Sequence, residues 1–591
     1  MNNYYIYKDE VLVGPYSLEE LRKMLAGKMI TGETVAQISG GPRDGTYLPV
    51  SELIGSSVDP VTLTTTNVAP LLSMDGDVMR IACPVCGQHY KIPCEEYSSD
   101  KYRCLKCESV FRLPPRPAAA GKEPEKSAEK EFYFDSEIPE GDLLCPHCWK
   151  SFDQDYVLYI SVHPSLFGDP VLGEYVQKRF VPTVFNQSGQ PLDQCGLPAT
   201  EMACPRCHLR IPASLLDTPA LYFSIAGATS SGKSYYLTCL THQLRKVLPE
   251  YFGAAFFDVD PRLNETLNTY EKQLFMSLTP EKLTALPATQ ISGDGISDRV
   301  RLDDIEIELP KPFVFEFRSK DSIDDINMIF YDNSGEMFIP GRDEWVNQAT
   351  FHLSHSHGIV FLFDPTSDAA MRLKLCDIRD PQVSKNPRVV DQTILLNEMI
   401  NRIRRHANMV SSEGCSIPLT IAVGKYDTWQ DKFSKEVSSI SYVTTGEDGE
   451  NILNMDNILD VSFALRELML KYAPGLVNAA ESFFEKVCFV PVSNFGTIAE
   501  QNENGVIGIV PEKITSVWVE VPLLLMLSNN DQLPAGHAGE QGEPLGTVFK
   551  NSIVFEHPES GRRTKLPRNY SGALLKIGGK SYRLPEIDTE Q

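Results

Sequence analysis

The sequence predicts a multidomain chain whose largest domain is α/β, and three observations carry that expectation. Residues 221–226 are an apolar run leading straight into Gly227, four spacers, then Gly232, Lys233 and Ser234, with a helical pattern over 233–247. Three further apolar runs of strand length, 326–331, 418–423 and 487–492, follow with helical stretches between them. Each run ends on polar or charged residues that a ligand could meet. At 591 residues and 42% hydrophobic content, the chain has room for several ordinary globular cores.

The first run and its turn spell a phosphate-binding loop. Its glycines let the backbone curl so that N–H groups point at the α- and β-phosphates of a nucleotide. Lys233 would reach the β- and γ-phosphates, and the Ser234 hydroxyl would ligand Mg²⁺. The helix opening at Lys233 turns its positive end toward the same anion. Ser231 and Tyr235 flank these residues and complete the nucleotide-contacting set. Run 326–331 ends in Asp332, a carboxylate suited to hold Mg²⁺ through a water, and Gly335 can offer its N–H to a γ-phosphate.

Run 418–423 is followed by Gly424, Lys425, Tyr426 and Asp427, which resembles the Asn-Lys-x-Asp base-recognition motif of P-loop GTPases. In that family the aspartate accepts hydrogen bonds from guanine's ring N–H and exocyclic amine, donors that adenine lacks. The lysine packs along the base plane, and Gly424 stands where asparagine is usual. After the last run, Ser493 and Asn494 resemble the loop that closes over the base. Taken in order, these four motifs make residues 218–528 similar to a prokaryotic P-loop GTPase domain, nearest the large double-GTPase type of multidomain bacterial proteins. The resemblance implies a parallel-rich sheet with helices on both faces and nucleotide at the strands' carboxyl ends. It also implies GTP or GDP with Mg²⁺ as ligands, and Lys233, Asp332, Gly335 and Glu336 as the catalytic set. Glu336 occupies the place of a water-orienting glutamine, and Thr289 is the candidate switch threonine. Segments 240–290 and 366–416 read as largely helical insertions. A slow switch and a nucleotide-holding scaffold both fit, because a carboxylate beside the γ-phosphate is repelled unless its pKa is raised.

Fourteen cysteines include four Cys-x-x-Cys pairs: Cys83/Cys86, Cys104/Cys107, Cys145/Cys148 and Cys204/Cys207. Seventeen residues separate the first two pairs, the spacing of a four-thiolate zinc ribbon over 80–113. So small a segment has little core, and Zn²⁺ would stabilise it. Disulfides are the alternative, but thiols persist in a reducing cytosol. Fifty-five residues separate Cys148 from Cys204, yet Cys-Pro-His-Cys and Cys-Pro-Arg-Cys repeat the Cys-Pro-Val-Cys form. Residues 141–215 therefore read as a second ribbon split by an inserted subdomain. A thioredoxin-like redox site would want a βαβ unit nearby, and none is evident. His147 and His208 read as solvent-facing bystanders, and Cys94 and Cys195 as packing residues. The short tether to the P-loop strand predicts that this ribbon packs on the nucleotide domain.

In residues 1–55, Tyr5-x-Tyr7, Gly14-Pro15-Tyr16-Ser17 and Leu18-Glu19-Glu20-Leu21 resemble the bacterial GYF-like domain: a strand, a Gly-Pro-aromatic turn and a short helix over 18–27. The resemblance implies binding of proline-rich peptides; a purely structural module is the other reading. Segments 56–79, 114–140 and 529–546 have linker composition. Beyond them, 547–591 carries short strand-like runs and a basic stretch: Arg562, Arg563, Lys565, Arg568, Lys576, Lys580 and Arg583 with no acid between Glu559 and Glu586. That stretch could dock the chain's own acidic surface, a partner or RNA, or form a solvated hairpin face. A net charge of −24 argues against duplex DNA as a partner. The start lacks a signal-peptide pattern, and apolar runs such as 521–527 are far too short to span a membrane. The expectation is a soluble, cytoplasmic protein whose GYF-like and zinc modules engage protein partners.

Overall fold

The computed structural model describes residues 138–587 apart from 230, 287–296, 303–304, 320–324, 333–347, 378–379, 385–388, 411–412, 502–504, 506 and 540; before residue 138 it describes nine short strands. The chain divides into two compact units, Met1–Ser127 and Ala128–Gln591.

In the first unit, Asn3–Lys8, Val11–Tyr16, Val35–Ser39 and Tyr47–Pro49 form an antiparallel sheet. Gly14-Pro15-Tyr16, expected as a turn, lies inside the second strand, where the register against Tyr4–Ile6 slips. Proline has no N–H to give the ladder, and a bulge accommodates it. The helix expected over 18–27 lies outside the described residues. Leu71–Asp75, Val78–Ala82 and His89–Pro93 form a second antiparallel sheet, and Lys101–Arg103 pairs with Val110–Arg112. The 56–79 linker expectation is therefore corrected: its last part is strand. Cys83, Cys86, Cys94, Cys104 and Cys107 lie outside the described residues.

The second unit is built on a seven-stranded sheet. In chain order its elements are β1 (Ala220–Gly227), α1 (Lys233–Phe252), β2 (Ala255–Asp258), α2 (Glu265–Phe275), β3 (Pro312–Arg318), β4 (Ile326–Asp332) and β5 (Gly358–Phe363). Then come α3 (Gln392–His406), β6 (Leu419–Val423), α4 (Met455–Tyr472), α5 (Pro474–Phe483), β7 (Val487–Pro491) and α6 (Val521–Asn529). The strand order is β2-β3-β4-β1-β5-β6-β7. β1 runs parallel to both β4 and β5, and β5, β6 and β7 are mutually parallel; only β3 runs against its neighbours. These central strands are apolar on both faces because both are covered. Phe223, Ile225, Phe315, Met328 and Phe330 share one core with Tyr236, Leu237 and Leu240 of α1. The alternate residues Tyr222, Val314, Ile329 and Tyr331 share a second core with Cys145, Trp149, Phe152 and Leu209. On this half of the sheet the cysteine-rich subdomain covers the face where a helix was expected.

The 240–290 insertion is less helical than expected. α1 runs on to Phe252 and stops at Gly253, whose φ of 59° suits a glycine C-cap. The chain then adds edge strand β2 antiparallel to β3 before α2. The 366–416 insertion is helical as expected, with Ala369–Lys374, Pro381–Ser384 and α3, the last capped by Asp391.

The carboxyl-terminal segment is integrated with the seven-stranded α/β domain. Its strands are β8 (Ser552–Glu556), β9 (Arg563–Pro567), β10 (Leu574–Ile577) and β11 (Lys580–Arg583). Ile553, Phe555, Leu566, Tyr570 and Leu575 lie in the same buried cluster as Leu459 and Phe463 of α4. The 529–546 stretch, expected as a break, pairs twice: Ala535–Gly536 with Asn451–Asn454, and Glu543–Pro544 with β11. Of the four roles open to the basic stretch, the geometry favours docking on the chain's own acids. Arg583 pairs with Asp456 at 2.8 Å and Arg562 with Glu467 at 3.3 Å. Among the described residues, no helix is long and apolar enough to cross a membrane.

Candidate nucleotide site and four-cysteine cluster

The parallel register brings the carboxyl ends of β1, β4, β5, β6 and β7 to one edge. Ile225 pairs with Asp332, Gly227 with Leu362, Phe363 with Val423, and Val423 with Pro491. β1 has its sequence successors on opposite sides, so a crevice opens at its end, the switch point where α/β sheets bind ligands. Gly227 turns the chain there with φ of 151°, and a Cβ would lie 2.5 Å from the Leu362 carbonyl oxygen. Only glycine fits. Gly232, with φ of 89°, starts α1.

Within the loop, Lys233 is buried and its Nζ donates to the carbonyls of Gly227 at 3.1 Å and Ala228 at 2.8 Å. Burial pulls its ammonium down to about 8, an effect that Asp332 partly offsets. Ser234 Oγ donates to Asp332 Oδ2 at 2.8 Å, so the two expected Mg²⁺-side residues sit together. Burial raises the Asp332 carboxyl despite Lys233 and that hydrogen bond. Ser231 Oγ is buried without a partner among the described residues, a donor suited to an incoming anion. Tyr235 lies further along: its hydroxyl accepts from Leu286 N–H at 2.6 Å, and its ring meets Phe495 edge-on. It thus ties the entry of the Thr289 segment to α1. Thr289, Gly335 and Glu336 lie outside the described residues.

The base-motif residues gather at the ends of β6 and β7. Asp427 is buried; Oδ1 accepts from Ser493 Oγ, and Oδ2 accepts from Gln382 Nε2 at 3.2 Å. Burial pushes its carboxyl up to about 6, while these hydrogen bonds pull the other way. Asn494 Nδ2 reaches the Gly232 carbonyl at 3.5 Å, joining this loop to the phosphate loop. Lys425 sits at φ 53° and its Nζ meets Asp364 Oδ2 at 2.8 Å and Thr366 Oγ1 at 2.9 Å. Burial alone would raise the Asp364 carboxyl, but Lys425 and the Thr366 and Ser367 hydroxyls hold it below its ordinary value. Gly424 lacks an asparagine's side-chain contacts, and Trp429 steadies the loop instead: its indole N–H donates to the Gly424 carbonyl at 2.9 Å.

Sequence reasoning missed Asp364, Thr366, Asp380, Gln382 and Trp429. Asp364 left a signal, an acid directly after an apolar strand. Gln382 left none, because only the tertiary fold brings it to Asp427.

The second cysteine group assembles across its inserted subdomain. The sulfurs of Cys145, Cys148, Cys204 and Cys207 lie within 4.8 Å of one another, with Cys145–Cys207 at 3.7 Å and Cys148–Cys204 at 3.8 Å. A tetrahedron with metal–sulfur bonds of about 2.3 Å has edges of about 3.8 Å, so the group fits Zn²⁺. Backbone N–H groups of His147 and Arg206 each point at a sulfur at 3.4 Å. His147 and His208 stand outside the cluster, but they are buried, contrary to expectation. Nε2 of His147 is 2.9 Å from the Arg210 carbonyl, and Nδ1 of His208 is 2.9 Å from Asp169, so each ring has a polar partner inside the subdomain. Cys195 is exposed, and the packing expectation is corrected: its turn is held by Asp193, whose carboxylate accepts from the Cys195 and Leu197 N–H groups.

Sheet order, phosphate loop and the Ser234–Asp332 pair define an α/β P-loop domain. No protein-family model matches the chain. Over 202 residues it is 26% identical to the "Putative ESX-1 scaffolding and assembly protein SaeC" of Mycolicibacterium smegmatis, spanning 34% of this chain and 47% of that protein. Similar solved structures include elongation factor SelB of Methanococcus maripaludis with a GTP analogue: 9% identity, 61% of this chain, 44% of that chain, TM-score 0.19. Another is Era of Aquifex aeolicus with GDP and AlF₄⁻: 12% identity, 54% of this chain, 59% of that chain, TM-score 0.20. The match thus spans about half the curated relative and less than two thirds of either structure. The P-loop assignment rests on the chain's own topology and loop geometry.

Proposed function

We propose that this chain is a GTP-binding regulatory protein, a slow GTPase switch with partner-recognition modules. The observation that supports this reading is that the loop of Lys233 and Ser234, paired with Asp332, and the loop of Ser493, paired with Asp427, lie at the same sheet edge and are joined by Asn494 to the Gly232 carbonyl. The first would take the phosphates and the second the base. Mg²⁺ bound by the Ser234 hydroxyl and the Asp332 carboxylate would neutralise phosphate charge there. Lys233 would exchange its loop carbonyls for phosphate oxygens, and Asp427 would take guanine's donors. Gly335, Glu336 and Thr289 are the proposed γ-phosphate contacts. The two ribbons would each hold one Zn²⁺, and they and the GYF-like module would meet protein partners.

GTP and GDP should bind in a Mg²⁺-dependent manner, with ATP weaker by orders of magnitude because adenine leaves the Asp427 carboxylate unpaired. Equal affinity for ATP and GTP would reduce the site to a generic nucleotide pocket.

A nucleotide-binding scaffold with negligible hydrolysis is the second reading. The scaffolding name of the Mycolicibacterium smegmatis relative, alike over a third of this chain, favours it. Single-turnover hydrolysis of labelled GTP, with and without Lys233→Ala, separates the two. A switch shows slow turnover that the substitution abolishes, whereas a scaffold shows none in either protein.

A further inference from the structure

One feature of the base site comes from neither motif loop. The stretch between β5 and α3 folds back onto the Asp427 loop and is fastened there by backbone: Asp377 N–H donates to the Thr428 carbonyl at 3.0 Å. The one-turn helix Pro381–Ser384 follows, with Val383 in the main core. From it Gln382 reaches Asp427 Oδ2. Asp380 begins the turn, and its Oδ1 accepts from Gln382 N–H at 2.8 Å. Asp380 is only 2% exposed, yet its Oδ2 has no hydrogen-bond partner among the described residues. Burial raises the Asp380 carboxyl, with the Gln382 N–H and the charge of Lys425 pulling the other way, and Asp380 adds to the burial that raises Asp427. A buried carboxylate oxygen left without a donor is costly, and a second carboxylate close by adds to the cost. A ligand carrying several N–H groups would relieve both.

Resting on the guanine reading above, we infer that this inserted turn is a second wall of the base site, with Asp380 a specificity residue for the purine 2-amino group and Gln382 a positioning residue for Asp427. Guanine's exocyclic amine carries two N–H bonds. Asp427 accepts one together with the ring N–H, and Asp380 Oδ2 accepts the other. Gln382 holds the Asp427 carboxylate in the plane this requires. Hypoxanthine keeps the ring N–H and lacks the amine, so inosine nucleotides isolate the Asp380 contribution.

Calorimetric titration of the full-length protein with GDP and IDP at pH 8 tests this. Asp380→Ala should weaken GDP by about tenfold or more, the scale of a charged hydrogen bond, and leave IDP nearly unchanged. Asp380→Asn, which keeps the shape, should lose part of the same discrimination, and it serves if the alanine variant does not fold. Gln382→Ala should weaken both nucleotides alike. It should also move the acid limit of GDP binding to higher pH, because one of the groups facing Asp427 (Ser493, Gln382 and Asp380) no longer donates to it. Parallel weakening of GDP and IDP by the Asp380 variants would reduce Asp380 to a structural role, and tightening of both would make it a mere repulsive charge. Either result overturns its assignment, and an unmoved acid limit overturns that of Gln382. Wild-type protein that binds neither nucleotide would instead remove the guanine reading itself.

Discussion

Asp427 concentrates the residue-scale chemistry. Burial pushes its carboxyl up to about 6, so on the proposed reading the ionised form that would accept guanine's donors is lost as pH falls through that value. GDP affinity, followed by fluorescence of a labelled analogue, should hold above about pH 7 and drop roughly tenfold per unit below 6. The nucleotide-free protein should respond in the opposite sense. A carboxyl whose folded pKa lies above its unfolded value binds more protons when folded, so its contribution to stability declines as pH rises from about 4 to 6. Asp427→Ala should remove the preference for GTP over ATP and abolish this pH dependence. Gly424 offers a gain-of-function counterpart. A Cβ there would meet the Phe363 carbonyl oxygen at 3.4 Å and Leu362 Cδ1 at 3.5 Å, close to ordinary contact. Gly424→Asn should therefore be accepted and tighten GDP binding several-fold, in addition to what Trp429 already provides.

At the scale of elements, the four-cysteine subdomain and the sheet are coupled. Trp149, beside the first cysteine knuckle, packs against Tyr222 of β1 at 4.7 Å and Tyr331 of β4 at 5.5 Å. The Tyr331 hydroxyl donates to the Pro146 carbonyl at 2.6 Å. A metal ion held by the four thiols would order the knuckle and with it one face of the α/β domain. Cys204→Ser should lower bound zinc by one ion per chain in elemental analysis. It should also lower the melting temperature of the GDP-bound protein by several degrees. An unchanged melting temperature with zinc lost would show that the ribbon is a mere passenger on the sheet.

For the molecule as a whole, the carboxyl-terminal segment is a structural part of the α/β domain. Asp456, at the start of α4, is its anchor: it accepts from His537 at 2.8 Å, Ala538 N–H at 2.9 Å, Leu574 N–H at 3.0 Å and Arg583 at 2.8 Å. Burial alone would raise this carboxyl, but those donors hold it down at about 2. Its folded pKa lies below the unfolded value, so the anchor contributes stability above about pH 4 and loses it as pH falls through 2. Truncation after residue 546 would strip Ile553, Phe555, Leu566 and Tyr570 from the core around α4. Each side chain of this size contributes about 1.5–3 kcal/mol by burial, so the truncated protein should unfold or aggregate. A truncated chain that binds GDP with wild-type melting behaviour would make the segment a dispensable appendage.

Local sequence determined the phosphate loop, the carboxylate at the end of β4, Asp427 after β6 and the four thiols of the Cys145–Cys207 group. In each case the chemistry needs fixed residue types at fixed short spacing, and that spacing is written in the chain. The strands of the central sheet were legible for a related reason: a strand covered on both faces must be a continuous apolar run. What lay far apart in sequence was decided only by tertiary structure. The cysteine-rich subdomain stands where a helix would cover one sheet face, with Trp149 packed on Tyr222 and Tyr331. The basic stretch found α4 because opposite charge and an apolar underside lay within its reach. Gln382 meets Asp427 across forty-five residues, with Asp380 holding the Gln382 backbone N–H, a contact set by how an insertion folds back. Neither periodicity nor composition records such a contact.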